Sequence, residues 1–156
     1  MSLQRNRRSP MAHRIGMLFF AVVFGSVSTV AAPTMKTLAQ LAREEGWDPD
    51  AGDRPNLDKD IPRDFPVPAG SHHLVASNTV PFASVTGGTT PAETEEFYRS
   101  VFAMQGWHII KEVKFSGFIN FIACKSGQCA GVSSSSAEVD PSHPNLIKLH
   151  FFKDKS

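Results

Sequence analysis

Two cysteines are all this chain has, and no acidic residue precedes Glu44. Each shortage narrows the reading. Two cysteines cannot build a structural zinc site from paired knuckles, because the second pair is missing. They are also not the C-x-x-C at a helix start of a thioredoxin-like redox pair; they read Cys124-Lys125-Ser126-Gly127-Gln128-Cys129. There is no G-x-S-x-G, no P-loop and no H-E-x-x-H, so no familiar nucleophile, nucleotide or zinc-hydrolase motif stands out. The acid-rich stretch from Asp48 to Pro68 lacks the closing glutamate of a calcium loop. No internal repeat is visible.

The missing acids at the start have a positive counterpart. Arg5, Arg7, Arg8 and Arg14 form a basic head, and an apolar run follows from Ile15 to Ala32. Small residues close it at Thr29-Val30-Ala31. This is the pattern of a secretory signal peptide, so residues 1–31 are expected to be removed, with Met11 an alternative start because MAHRIGMLFF already holds a complete head and core. The alternative is a retained anchor through residues 15–32, at the short edge for a membrane span, holding the domain at the inner membrane facing the periplasm. Arg7-Arg8 resembles a twin-arginine signal, with Pro10 out of place.

Cleavage would remove four arginines from 16 basic residues, leaving 12 against 15 acids and a net charge of −3. That speaks against a nucleic-acid binder, which needs a basic stripe. It also removes the polybasic case for membrane-surface attachment. About 125 residues remain, enough for one domain with a modest core.

Residues 32–64 are expected to hold a short helix and a Pro/Asp-rich linker. Thr34 to Glu45 is amphipathic, with Thr34 as cap, Leu38, Leu41 and Ala42 on one face, and Gly46 as stop. It is read as packing with Trp47 on the main domain; the sharper reading is a docking helix. Residues 65–156 are expected to form an α+β domain. Its strongest signal is TTPAETEEFYRSVFAMQGW, a helix with Thr90 as cap, Pro91 in the first turn, Glu93 completing a capping box and Gly106 as stop. Phe97, Val101 and Met104 are expected to share its buried face, with Tyr98 and Phe102 beside them. Tyr98 is read as packed and Arg99 as solvated, although the pair could hold an anion.

Strands are expected at His72–Ser77, Phe82–Val85, Trp107–Phe115, Phe118–Cys124, Cys129–Ser135 and Leu146–Phe152. In the third, Trp107, Ile109, Val113 and Phe115 are placed on one face and His108, Glu112 and Lys114 on the other, with Ile110 and Lys111 breaking the alternation. The fold class is α+β: one main helix packed on a mainly antiparallel sheet of four to five strands, preceded by the short helix and linker.

A hairpin with a four-residue KSGQ loop places Cys124 opposite Cys129. The same register puts Ala123 opposite Ala130 and Phe121 opposite Val132, with Ile119 on the same apolar face. Alignment of the cysteines therefore sorts the core as well, and an exported chain meets an oxidising compartment. Cys124 and Cys129 are expected to be a structural disulfide. So short a loop limits its chain-entropy gain to about 2 kcal/mol.

No cofactor and no metal site are assigned. His72-His73 is the only adjacent histidine pair, and strand neighbours point to opposite faces. His108, His143 and His150 are scattered, and a His/Met copper site would need the fold to gather them. Phe118, Ile122 and Phe152 remain as apolar residues on outward faces. They are a candidate partner surface, unless Leu38 and Leu41 of the first helix cover them.

From Phe65 to Trp107 the chain reads P-V-P-A-G-S, then F-Y-R within the helix, then G-W before the next strand. This resembles a recurring pattern in small exported bacterial proteins of undefined function. The resemblance covers less than half of the mature chain. It implies an α+β fold and a bacterial envelope location, and carries over no catalytic residue. The leading reading is an exported, non-enzymatic, periplasmic or secreted protein that binds another envelope protein. The alternative is a periplasmic metal or small-ligand binder using the histidines, and a hydrolase or redox enzyme is the weakest. No nucleic acid is expected, and membrane contact only through residues 15–32 if they are uncleaved.

Overall fold

The computed structural model describes residues 32–48, 57, 61–77 and 79–154. The expected signal peptide, residues 1–31, and most of the linker lie outside the described residues. Among the described residues, no helix is long and apolar enough to cross a membrane.

In chain order the elements are β1 (Met35–Thr37), α1 (Leu38–Glu44), β2 (Pro66–Pro68), β3 (His72–Ala76), β4 (Phe82–Thr86), α2 (Pro91–Gln105), β5 (His108–Phe115), β6 (Phe118–Lys125), β7 (Gln128–Ser135) and β8 (Leu146–Lys153). The main sheet is antiparallel and has six strands in the order β3-β4-β8-β7-β6-β5, rather than four to five. The larger count arises because β4 pairs with β8 and brings β3 with it, so both hairpins join one sheet.

The first helix starts later than expected. Thr37, not Thr34, is its cap: its hydroxyl accepts from the Gln40 amide, and the Gln40 side chain accepts from the Thr37 amide. Met35–Thr37 are drawn out of the helix because they pair antiparallel with Pro66–Pro68, at the end of the supposed linker. Two prolines are tolerated in β2 because this ladder has only two strands and keeps a free edge. The stretch between is not a bare tether either, since Leu57 and Ile61 are buried in the common core.

Helix α2 follows its sequence signals closely. Thr90 and Glu93 form the capping box, Pro91 opens the first turn, and Gly106 ends it with φ of 76°. Its buried stripe is Thr94, Phe97, Tyr98, Val101 and Phe102; Met104 is exposed. Against that stripe stand Ile119, Phe121 and Ala123 of β6, Ala130 and Val132 of β7, and Ile147, Leu149 and Phe151 of β8. Phe65 lies amid the aromatics, 4.9 Å from Phe151 and 6.0 Å from Tyr98 between ring centroids.

Leu38 and Leu41 belong to the same core as α2. Both helices therefore lie on one face of the sheet, and the first helix does not cover Phe118, Ile122 and Phe152. Among the described residues no helix covers the opposite face, called the open face below.

One bulge reorders β5. Ile109 pairs with Ala123 but Lys111 pairs with Ile122, so Ile110 has no opposite number. Past it, side chains exchange faces. Glu112 and Lys114 turn towards α2, where Arg99 bonds Glu112 and Lys114 meets Glu95 at 2.6 Å. Val113 and Phe115, expected inward with Ile109, are exposed on the open face.

Candidate metal centre

The site is built at the end of the β6–β7 hairpin. Its turn has two residues, Ser126 and Gly127, rather than four, because Lys125 and Gln128 already pair. Their φ values of 50° and 79° are those of the mirror-image turn whose twist matches the flanking strands. Cys124 and Cys129 stand directly opposite with Cα atoms 4.1 Å apart, the close spacing of a non-hydrogen-bonded pair, and they are joined as a disulfide. Ala123 and Ala130 take the core side, so both sulfurs lie on the open face.

The chain returns to this point after β8. The Asp154 amide donates to the Gly127 carbonyl at 2.9 Å, which pins the strand end to the turn. That bond places the Asp154 carboxylate beside the sulfurs: one oxygen and the two Sγ atoms all lie within 4.8 Å of one another. Cys129 is buried, Cys124 half-buried and Asp154 exposed. Lys125 and Lys153 pair with Gln128 in the next row, so by alternation they point to the face opposite the sulfurs. His108 is the cross-strand partner of Cys124 on its other side, and Phe152 that of Cys129.

Closed as a disulfide, the sulfurs carry no thiolate charge and are poor ligands. Opened by reduction, they become two thiols that lose their protons on binding a cation, and with the carboxylate they make a donor set suited to zinc-like cations. Two hollows flank the same turn. One of about 230 Å³ is lined by Pro62, Phe65, Pro66, Trp107 and Gln128 among others. The second, about 460 Å³, is lined by Pro81, Gly127, Gln128, Phe152 and Lys153 among others.

The other sequence candidates are distributed elsewhere. His72 and His73 do not alternate as regular strand neighbours. A bulge between His72 and Val75, with His73 at φ 52°, brings their rings to 4.7 Å. Among the described residues, no group of three metal donors includes either. His143 sits 3.5 Å from Asp140, and His150 packs on Phe82. Tyr98 is fully buried, and Arg99 is held by Glu95 and Glu112 over the Phe121 ring. Phe118, Ile122 and Phe152 all lie on the open face, but not together. Phe118 stacks on Phe115 at one end. Ile122 is four residues along β6, roughly 13 Å away. Phe152 is at the disulfide end.

The chain matches no protein-family model, no curated protein and no solved structure.

Asp154 was not singled out by the sequence, and His108 was named only among the scattered histidines, not as a neighbour of the cysteines. Asp154 is separated from Cys129 by a loop and a whole strand, so no spacing marks it. His108 could have been found by extending the register back from the Ser116-Gly117 turn. An unbroken count, however, puts Ile109 opposite Cys124. Only the broken alternation at Ile110 and Lys111 signals the one-residue shift.

Proposed function

We propose that this is an exported metal-binding protein. It takes a borderline-soft divalent cation, zinc in kind, between Cys124, Cys129 and Asp154 once the disulfide has been reduced. The convergence of three donor atoms within 4.8 Å carries the reading. The export part rests on the leader-like head of the chain and its resemblance to small envelope proteins. Two thiolates and a carboxylate leave a fourth position for another ligand, as zinc prefers four. Hard cations such as calcium want six or more oxygens, which this end of the sheet does not offer. In the oxidised form the same residues act as a staple and hold no metal.

Zinc titration followed by native mass spectrometry tests this. The reduced protein should retain one zinc per chain and the oxidised protein none. A reduced, folded protein that passes through zinc without retaining it would overturn the reading.

A second reading is favoured by the open face, which neither helix covers. Another envelope protein docking over Phe118, Ile122 and Phe152 would bury that face. In-cell cross-linking from Phe118 or Phe152 should then capture one defined protein, and a spread of unrelated products would dismiss it.

A further inference from the structure

We propose that His108 is the fourth ligand of the reduced site, closing it as two cysteines, one histidine and one aspartate; this rests on the metal-binding reading above. His108 pairs with Cys124 across the β5–β6 ladder, and Cys124 pairs with Cys129 across the next. Directly opposed side chains share a face and carry Cβ atoms about 4.5–5.5 Å apart. His108, Cys124 and Cys129 thus form one row on the open face, with Asp154 beside it.

The bulge at Ile110 is what makes the row. Without it Ile109 would oppose Cys124, and His108 would fall out of line. Bulges often re-aim a side chain beside a functional site. The His108 side chain is exposed, and among the described residues it makes no hydrogen bond, ion pair or ring contact, so the ring can turn towards the sulfurs. With the disulfide closed, the His108 nitrogens lie outside the 4.8 Å group. Tetrahedral zinc with bonds of about 2.3 Å to sulfur separates two thiolates by roughly 3.8 Å. Opening the disulfide moves the sulfurs apart towards that spacing and draws the imidazole in.

The redox step balances with an exported dithiol as reductant. The dithiol gives two electrons and two protons, becoming a disulfide, while the Cys124–Cys129 bond breaks to two thiols. Cation binding then releases both thiol protons to solvent. Zinc with two thiolates and one carboxylate carries a net charge of −1, to which an imidazole ligand adds no further negative charge. Neutral His108 adds the nitrogen ligand that favours zinc over calcium or magnesium.

The test uses cobalt(II) and zinc with the protein spanning residues 32–156, reduced with a phosphine. Wild type is measured first, then His108→Asn and, as a control on the same face, His150→Asn. His108→Asn should weaken zinc at least the roughly tenfold that even an outer-shell partner costs. It should also shift the visible cobalt bands, while His150→Asn leaves both unchanged. Wild-type affinity and an unaltered cobalt spectrum in His108→Asn would overturn the fourth-ligand assignment and leave the metal reading standing. A reduced wild type that binds neither metal would overturn both. Circular dichroism of each variant confirms the fold on which the comparison depends.

Discussion

Tyr98 donates its hydroxyl to the Pro66 carbonyl at 3.2 Å, across 32 residues of chain. The bond links α2 to the small β1–β2 ladder, and through it to α1. Tyr98 is wholly buried, and burial pushes its phenol far above the usual range, so it stays a neutral donor. Tyr98→Phe keeps the ring packing and deletes only this bond. It should cost about 1–2 kcal/mol in urea unfolding, because a buried acceptor loses its donor. A change near zero would mean that solvent satisfies Pro66.

Acid should weaken the domain through Glu95. The hydrogen bond from Lys114, reinforced by that from Arg99, holds the Glu95 carboxyl below its ordinary value of 4.5, against the opposing effect of burial. A carboxyl lowered in the folded state stabilises it above the unfolded value. That stabilisation is lost as pH falls through the lower, folded value. Unfolding free energy should therefore decline below about pH 4.5. Glu95→Gln should flatten part of the decline. Glu93, held low chiefly by the Thr90 amide, titrates in the same window and should leave the remainder. Identical acid profiles for wild type and Glu95→Gln would contradict this.

Reduction should leave the domain folded. The disulfide closes a sequence separation of 5, so its loss costs about 2 kcal/mol at most. Denaturant curves with and without reductant, and of a Cys124→Ala/Cys129→Ala double variant, should shift by that amount with an unchanged slope. Collapse of the cooperative transition would show that the staple organises more than its own hairpin.

Two turn glycines should respond differently to alanine. Both have positive φ, 72° at Gly117 and 79° at Gly127, so alanine at either position incurs the left-handed cost of about 1–2 kcal/mol that glycine avoids. At Gly127 a new Cβ meets nothing within 4 Å. At Gly117 it would clash with the Ser136 hydroxyl and lie 3.2 Å from Val139. Gly117→Ala should thus lower the melting temperature clearly more than Gly127→Ala; equal losses would mean that the Ser136 loop moves aside.

Much of this fold is legible in the chain because its signals are local. The capping box of α2, its Gly106 stop and the cysteine register each rest on residues within one element or one hairpin. Alignment of Cys124 with Cys129 carried the Ala123–Ala130 and Phe121–Val132 pairs with it, and the structure has that register. What was not legible depends on distant pairing. Met35–Thr37 read as helix because nothing nearby reveals Pro66–Pro68 as their partner. Glu112 and Lys114 read as outward-facing because strict alternation cannot anticipate a bulge. Asp154 joins the cysteines only through the placement of β8 beside β7, a relationship between residues with no shared motif.

That placement also sets the order in which the domain can be completed. β8 lies between β4 and β7, so the final strand of the described chain is an interior member of the sheet. While the chain is being made, the β3–β4 hairpin has no route to the β5–β7 meander. Two partial sheets must each wait with a bare edge, one along β4 and the other along β7. Bare edges invite pairing with neighbouring chains. A nascent chain stalled or clipped before Leu146 would therefore carry two unpaired margins, and the eight residues of β8 are what close both at once.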